Sequence, residues 1–162
     1  MEPRVVPPDE ARSIALYDVQ FRYGLSADET DGRLALLEVT IPPRTLVKPH
    51  AHGREDEFSL VLSGSIGARI GDRTVEQIPA GSWLAKPRGI PHALWNVTDA
   101  PARVLEVVQP AGLERYFEEL APILHESGPE WTRRFDELAH SYGLTILSDW
   151  SKELQAKYGI TL

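Results

Sequence analysis

Pro49-His50-Ala51-His52-Gly53-Arg54-Glu55-Asp56-Glu57 and Pro87-Arg88-Gly89-Ile90-Pro91-His92-Ala93-Leu94-Trp95-Asn96 are the two stretches on which the reading of this chain turns. Side chains two apart in an extended strand share a face, so His50 and His52 point the same way, about 6.5 Å apart along the chain. That is a two-point grip on one ion. Four residues of turn composition follow His52 and let the chain reverse, so Glu57 opens a neighbouring strand over Phe58 to Leu62 that ends at Ser63-Gly64. His92 arrives from far along the chain, after a Gly and a Pro, and supplies a fourth ligand from another strand. Three neutral imidazoles and one carboxylate suit one divalent transition metal, Fe, Mn, Ni, Cu or Zn. The chain has no cysteine, so a thiolate-based structural zinc site is excluded.

The spacing resembles the two signature motifs of the cupin superfamily. His50, His52, Glu57 and Gly64 fall at the intervals of the first motif, with Arg44 where the family usually has its opening Gly. Gly81, Pro87, Gly89, His92 and Asn96 match the second motif without departure. The Arg44 departure touches a turn and no ligand. The resemblance implies a double-stranded β-helix, a jelly-roll barrel, and a metal site made by His50, His52, Glu57 and His92.

At 162 residues the chain suits one domain, residues 1–162, with a barrel over about 12–110 and a helical tail over about 111–162. Its 42% apolar and 25% charged residues are those of an ordinary soluble globule. A net charge of -7, with no Lys/Arg-dense segment, argues against a nucleic-acid partner. No apolar leader opens the chain, and no stretch of about 18 apolar residues suggests a membrane span. The expectation is a cytoplasmic protein, with its Pro-rich and acidic first ten residues as an arm that frays or lies against the partner in a homodimer.

Taken in order, Ile14 to Phe21 reads as a first strand and Gly24 to Gly32 as a polar loop. Leu34 to Ile41 is a strong strand with Ala35, Leu37, Val39 and Ile41 on one face, ended by Pro42-Pro43. Glu38, on the other face, looks to water or to a polar cavity. Ser65 to Ile70 and Thr74 to Ile78 flank a hairpin turn at Gly71-Asp72-Arg73, and Trp83 to Ala85, His92 to Val97 and Arg103 to Gln109 complete the strands. Many short strands with frequent turns imply an all-β barrel or sandwich, and the resemblance selects the cupin jelly roll. From Pro110 the period changes to that of amphipathic helices, over Leu113 to Leu124, Trp131 to Tyr142 and about Ser151 to Tyr158. The run Ala111 to Leu120 extends the resemblance toward quercetin-dioxygenase-like cupins and implies a lid or wall beside the barrel mouth; Tyr116, Trp131 and Trp150 are candidate wall residues. The alternative is that these aromatics pack on the barrel exterior or across a dimer.

His125 and His140 lie outside both motifs and read as ordinary helix residues, Glu55 as a solvated loop residue, and Ser59 and Val61 as inward-facing pocket residues. Asn96 either hydrogen-bonds inside the barrel or satisfies backbone. The resemblance implies a dioxygenase acting on a small enol, phenol or diketone, in which Glu57 ligates the metal and takes the substrate proton if its environment raises its pKa toward neutrality. Two alternatives stay open: a non-oxidative metal-dependent isomerase or lyase, and a non-enzymatic small-molecule-binding module.

Overall fold

In the computed structural model, which describes residues 2–125 and 127–162, period-two alternation of buried and exposed residues builds two antiparallel sheets. The strands are β1 (Ser13–Leu16), β2 (Val19–Leu25), β3 (Ala35–Ile41), β4 (Thr45–Leu46), β5 (His50–His52), β6 (Asp56–Ser63), β7 (Ser65–Ile70), β8 (Arg73–Pro79), β9 (Trp83–Lys86), β10 (His92–Asn96), β11 (Ala102–Gln109) and β12 (Leu144–Ile146). The helices are α1 (Ala27–Thr30), α2 (Leu113–Ile123), α3 (Pro129–Ser141) and α4 (Ser148–Tyr158). One sheet has the order β1-β2-β3-β11-β6-β9; the other has β12-β5-β10-β7-β8, with β4 also paired to β10.

In β3 the residues Ala35, Leu37, Val39 and Ile41 are buried, while Leu36, Glu38 and Thr40 are only partly so. Glu38 therefore lies on the outer face, where its carboxylate joins Arg22 of β2 and Arg103 of β11 across three neighbouring strands. The same alternation along β6 and β11 buries Glu57, Ser59 and Val61 and Val104, Glu106 and Val108. Polar residues thus share the inner face with the hydrophobic core.

Three local expectations change. Ile14 to Phe21 is not one strand: Tyr17, at φ 51°, reverses the chain, and β1 and β2 pair as a hairpin. The Gly24 to Gly32 loop contains α1, whose start is fixed by the Ser26 N–H donating to Glu29 Oε2 at 2.8 Å. The tail is not purely helical, since β12 pairs in register with β5, Leu144 opposite His52 and Ile146 opposite His50. A three-residue strand after a helix is too short to stand out from periodicity alone.

Gly143 follows α3 at φ 74°, as expected of a residue closing a helix. Arg44, in the usual glycine position, adopts the left-handed backbone that glycine would favour, φ 57°, and its guanidinium pairs with Asp99 at 2.8 Å. The arginine thus stands in a glycine-like conformation at this turn. Asn96 satisfies backbone: its amide donates to the carbonyls of Ile41 and Ala100, and its oxygen accepts from the Thr98 N–H.

Gly67 marks the tightest packing in the second sheet. A methyl group there would stand 2.1 Å from Nε1 of Trp95, which has no solvent exposure. Neither a strand backbone nor a fully buried indole can move aside cheaply, so Gly67→Ala is expected to destabilise by about 1–3 kcal/mol. Urea unfolding checks this; an unchanged midpoint would contradict the packing described.

Candidate metal centre

The turn after β5 carries the chain from one sheet to the other. Glu57 therefore does not open a strand adjacent to His50 and His52; it faces them across the barrel from β6. His92 on β10 sits directly opposite His50 in the register of the pair β5–β10. One donor atom from each of His50, His52, Glu57 and His92 lies within 4.8 Å of all the others. His50 Nε2 is 2.9 Å from His52 Nε2, and Glu57 Oε2 is 3.3 Å and 3.2 Å from the Nε2 atoms of His52 and His92. Ligands held about 2.1 Å from one ion at right angles stand about 3.0 Å apart, so this spacing fits a single transition-metal ion.

The tautomers point the same way. His50 Nδ1 donates to the Lys48 carbonyl at 2.6 Å and His92 Nδ1 to the Ile90 carbonyl at 3.2 Å. Both Nε2 atoms are then left with lone pairs. His52 Nδ1 faces Glu55 Oε2 at 3.6 Å, which turns its Nε2 lone pair toward that of His50. Two lone pairs at 2.9 Å require a cation between them. A proton on His52 would serve two of the four donors; a metal ion serves all four.

The electrostatics favour positive charge at this point. Burial lowers the pKa of His52, but the charge of Glu57 and hydrogen bonds donated to Glu55 and Glu57 outweigh it and carry the value up to about 9. Burial and the neighbouring His92 and His52 hold His50 well below the ordinary imidazole range. His50 keeps some accessible surface, and that surface lines the cavity. Burial works against ionisation of Glu57, yet Lys86 and His52 hold its carboxyl well below the usual range.

Sequence reasoning did not find Lys86 and Glu106. Lys86, opposite Glu57 in the β6–β9 register, places its ammonium 2.9 Å from both Glu57 Oε2 and Glu106 Oε2. Ser59 Oγ donates to Glu106 Oε2 at 2.8 Å. Burial raises the Glu106 carboxyl to about 7, with Lys86 pulling it down and Glu57 pushing it up. Glu55, expected in a solvated loop, is instead buried behind His52.

Above the donors lies a cavity of about 120 Å3. Its apolar walls include Phe21 and Val39 from the barrel and Leu113, Tyr116, Phe117, Leu120 and Phe135 from α2 and α3. The tail therefore walls the barrel mouth. Tyr116 is part of that wall, but Trp131 stacks on Phe135 and Trp150 lies under the Arg69 guanidinium, and neither lines the cavity. Ser59 and Val61 face inward as expected but lie outside the lining.

The family model for the cupin domain matches residues 37–108. Germin-like protein 3-1 of Oryza sativa subsp. japonica is 36% identical over 77 residues, covering 44% of this chain and 34% of that protein. H2HPP isomerase of Bacillus subtilis is 32% identical over 76 residues, 47% of this chain and 32% of its own length. The chain thus spans about a third of the curated relatives it matches. The crystal structure of a predicted oxalate decarboxylase from Thermotoga maritima superposes with a TM-score of 0.61 at 21% identity, covering 66% of this chain and 99% of that one, which shows the fold. With both sheets, both signature motifs and the family match in agreement, residues 37–108 of this chain form a cupin domain.

Proposed function

We propose that the protein is a metal-dependent dioxygenase in which His50, His52, Glu57 and His92 hold one divalent transition ion and the apolar cavity takes a small enol, phenol or diketone. The observation that carries this reading is the convergence of three imidazole lone pairs and a buried carboxylate at the inner end of a cavity walled by aromatic and aliphatic side chains. A bound ion would supply the charge that favours the enolate or phenolate form and the redox chemistry that brings O2 to it. The donors themselves line the cavity, so a substrate oxygen approaches them from that side. Phe21, Phe117 and Phe135 exclude water from the reacting end. An engineered apolar cavity of roughly 150 Å3 holds benzene. At about 120 Å3 the cavity here is of that order, which suits single rings or compact aliphatic molecules better than flavonols.

Glu57, held ionised by Lys86, suits the role of ligand better than that of proton acceptor. Glu106, near neutrality and one ammonium away, supports a second reading. In that reading Glu57, Lys86 and Glu106 pass a proton in a non-oxidative isomerisation, in line with the partial similarity to an isomerase.

Oxygen-electrode assays on protein purified without chelator, with metal content measured in parallel, separate these readings. The expected result is one metal per chain and one O2 consumed per substrate with a compact diketone or catechol, and none with a flavonol. Anaerobic conversion of substrate would favour the isomerase reading. Binding without turnover would reduce the protein to a small-molecule-binding module.

A further inference from the structure

Two lysines border the cavity, and they differ in how their charges are met. Lys86 is held between Glu57 and Glu106. Lys48 makes no ion pair with a carboxylate among the described residues; its Nζ lies over the ring of Phe135, 4.0 Å from the centroid. Its side chain is half-buried. A partly desolvated ammonium against a ring face has only part of its lost hydration replaced. Two residues further on, His50 hydrogen-bonds back to the Lys48 carbonyl, which fixes the backbone that carries both.

Charge balance adds an independent argument. With a divalent ion on the four donors, the ion and two ammoniums face two carboxylates in the cavity lining, Glu57 and Glu106, and a third, Glu55, behind His52. The cavity is then net positive although its walls are apolar, and in such surroundings an anion is attracted strongly.

We infer that Lys48 is an anion anchor, and that the substrate is a small carboxylic acid whose carboxylate docks on Lys48 while a second oxygen faces the His50, His52, Glu57 and His92 donors. This rests on the reading of those donors as the site of a metal that meets a small substrate. The body between the two oxygens is compact and apolar, against Phe21 and Phe117. A carboxylate is favoured over a phosphate ester because Lys48 is a single point charge without an arginine fork, and the cavity has little room beyond one ring.

The test uses zinc-loaded full-length protein and calorimetric titration with 3- and 4-hydroxybenzoate against the neutral 3- and 4-hydroxybenzamides. These pairs match in size and differ in charge, and their two oxygens cannot chelate one ion. At least one acid is expected to bind about tenfold or more tightly than its amide, as a charge-assisted contact provides. Lys48→Met should bring that ratio to about one with zinc content unchanged, whereas Lys48→Arg should keep most of it. Equal affinity for acid and amide in the unmodified protein, failure of both acids to bind, or an undiminished preference in Lys48→Met overturns the anchor. Zinc content measured on the same samples separates the two readings. A preference for the acid in protein that takes up no zinc supports the anchor and removes the metal. Bound zinc without that preference removes the anchor alone.

Discussion

A variant carrying both His50→Ala and His92→Ala is expected to lose metal uptake, from one equivalent per chain to below about a tenth, while keeping its barrel. The two residues face each other in register on adjacent strands, so their removal deletes one whole side of the four-donor cluster. What remains, His52 and Glu57, is one donor from each sheet, and two ligands hold a transition ion weakly. The fold should tolerate the change because the imidazoles face a cavity instead of filling the core. Each loses a hydrogen bond to a nearby carbonyl, from Lys48 and Ile90, worth about 1 kcal/mol. Against that, the close approach of the His50 and His52 nitrogens is relieved. Thermal unfolding gives a second readout: an ion at a hundredfold excess over its dissociation constant stabilises the folded state by about 2.7 kcal/mol. Chelator should therefore lower the melting temperature of the unmodified protein and leave the double variant unmoved. Metal content equal to that of the parent would remove the assignment of these ligands.

That His50, His52, Glu57 and His92 come together was legible in the sequence: the resemblance to two motifs names all four positions, and period two puts His50 and His52 on one face. The surrounding charges were not, for a different reason in each case. Lys86 ends a four-residue strand, Trp-Leu-Ala-Lys, where a terminal lysine reads as an edge charge. Only the pairing of Lys86 with Glu57 across β6–β9 turns it inward. Glu106 did leave a signal. It shares the inward phase of Ala102, Val104 and Val108, and a lone carboxylate in that phase needs a partner inside. The β1–β2 hairpin escaped because Tyr17-Asp18 has neither glycine nor proline to mark a turn. Glu55 reads as solvated because local composition cannot report that His52 Nδ1 lies beside its carboxylate.

Lys86→Met is expected to cost about 3–5 kcal/mol in metal-stripped protein, the usual penalty for removing one partner of a buried ion pair. The methionine replaces the volume of the lysine stem but leaves the Glu57 and Glu106 carboxylates facing each other without the ammonium that lies 2.9 Å from each. Glu106→Gln in the same chain should recover much of the loss, because one charge is then removed along with its counter-charge. The dependence on pH has a definite sign. Burial raises the folded-state pKa of Glu106 from 4.5 to about 7, so across that window the folded protein holds a proton that the unfolded chain has released. Its contribution to stability therefore falls as pH rises through that interval and levels off above it. Without Lys86, which pulls this pKa down, the folded value climbs higher and the decline continues beyond neutrality. Denaturant unfolding of both proteins at about pH 5 and about pH 8 should show the deficit of Lys86→Met growing with pH. A deficit under about 1 kcal/mol at both values would mean that the network relaxes into water, as exposed ion pairs do. A deficit that shrinks with rising pH would mean that the carboxyl holding the proton is not Glu106.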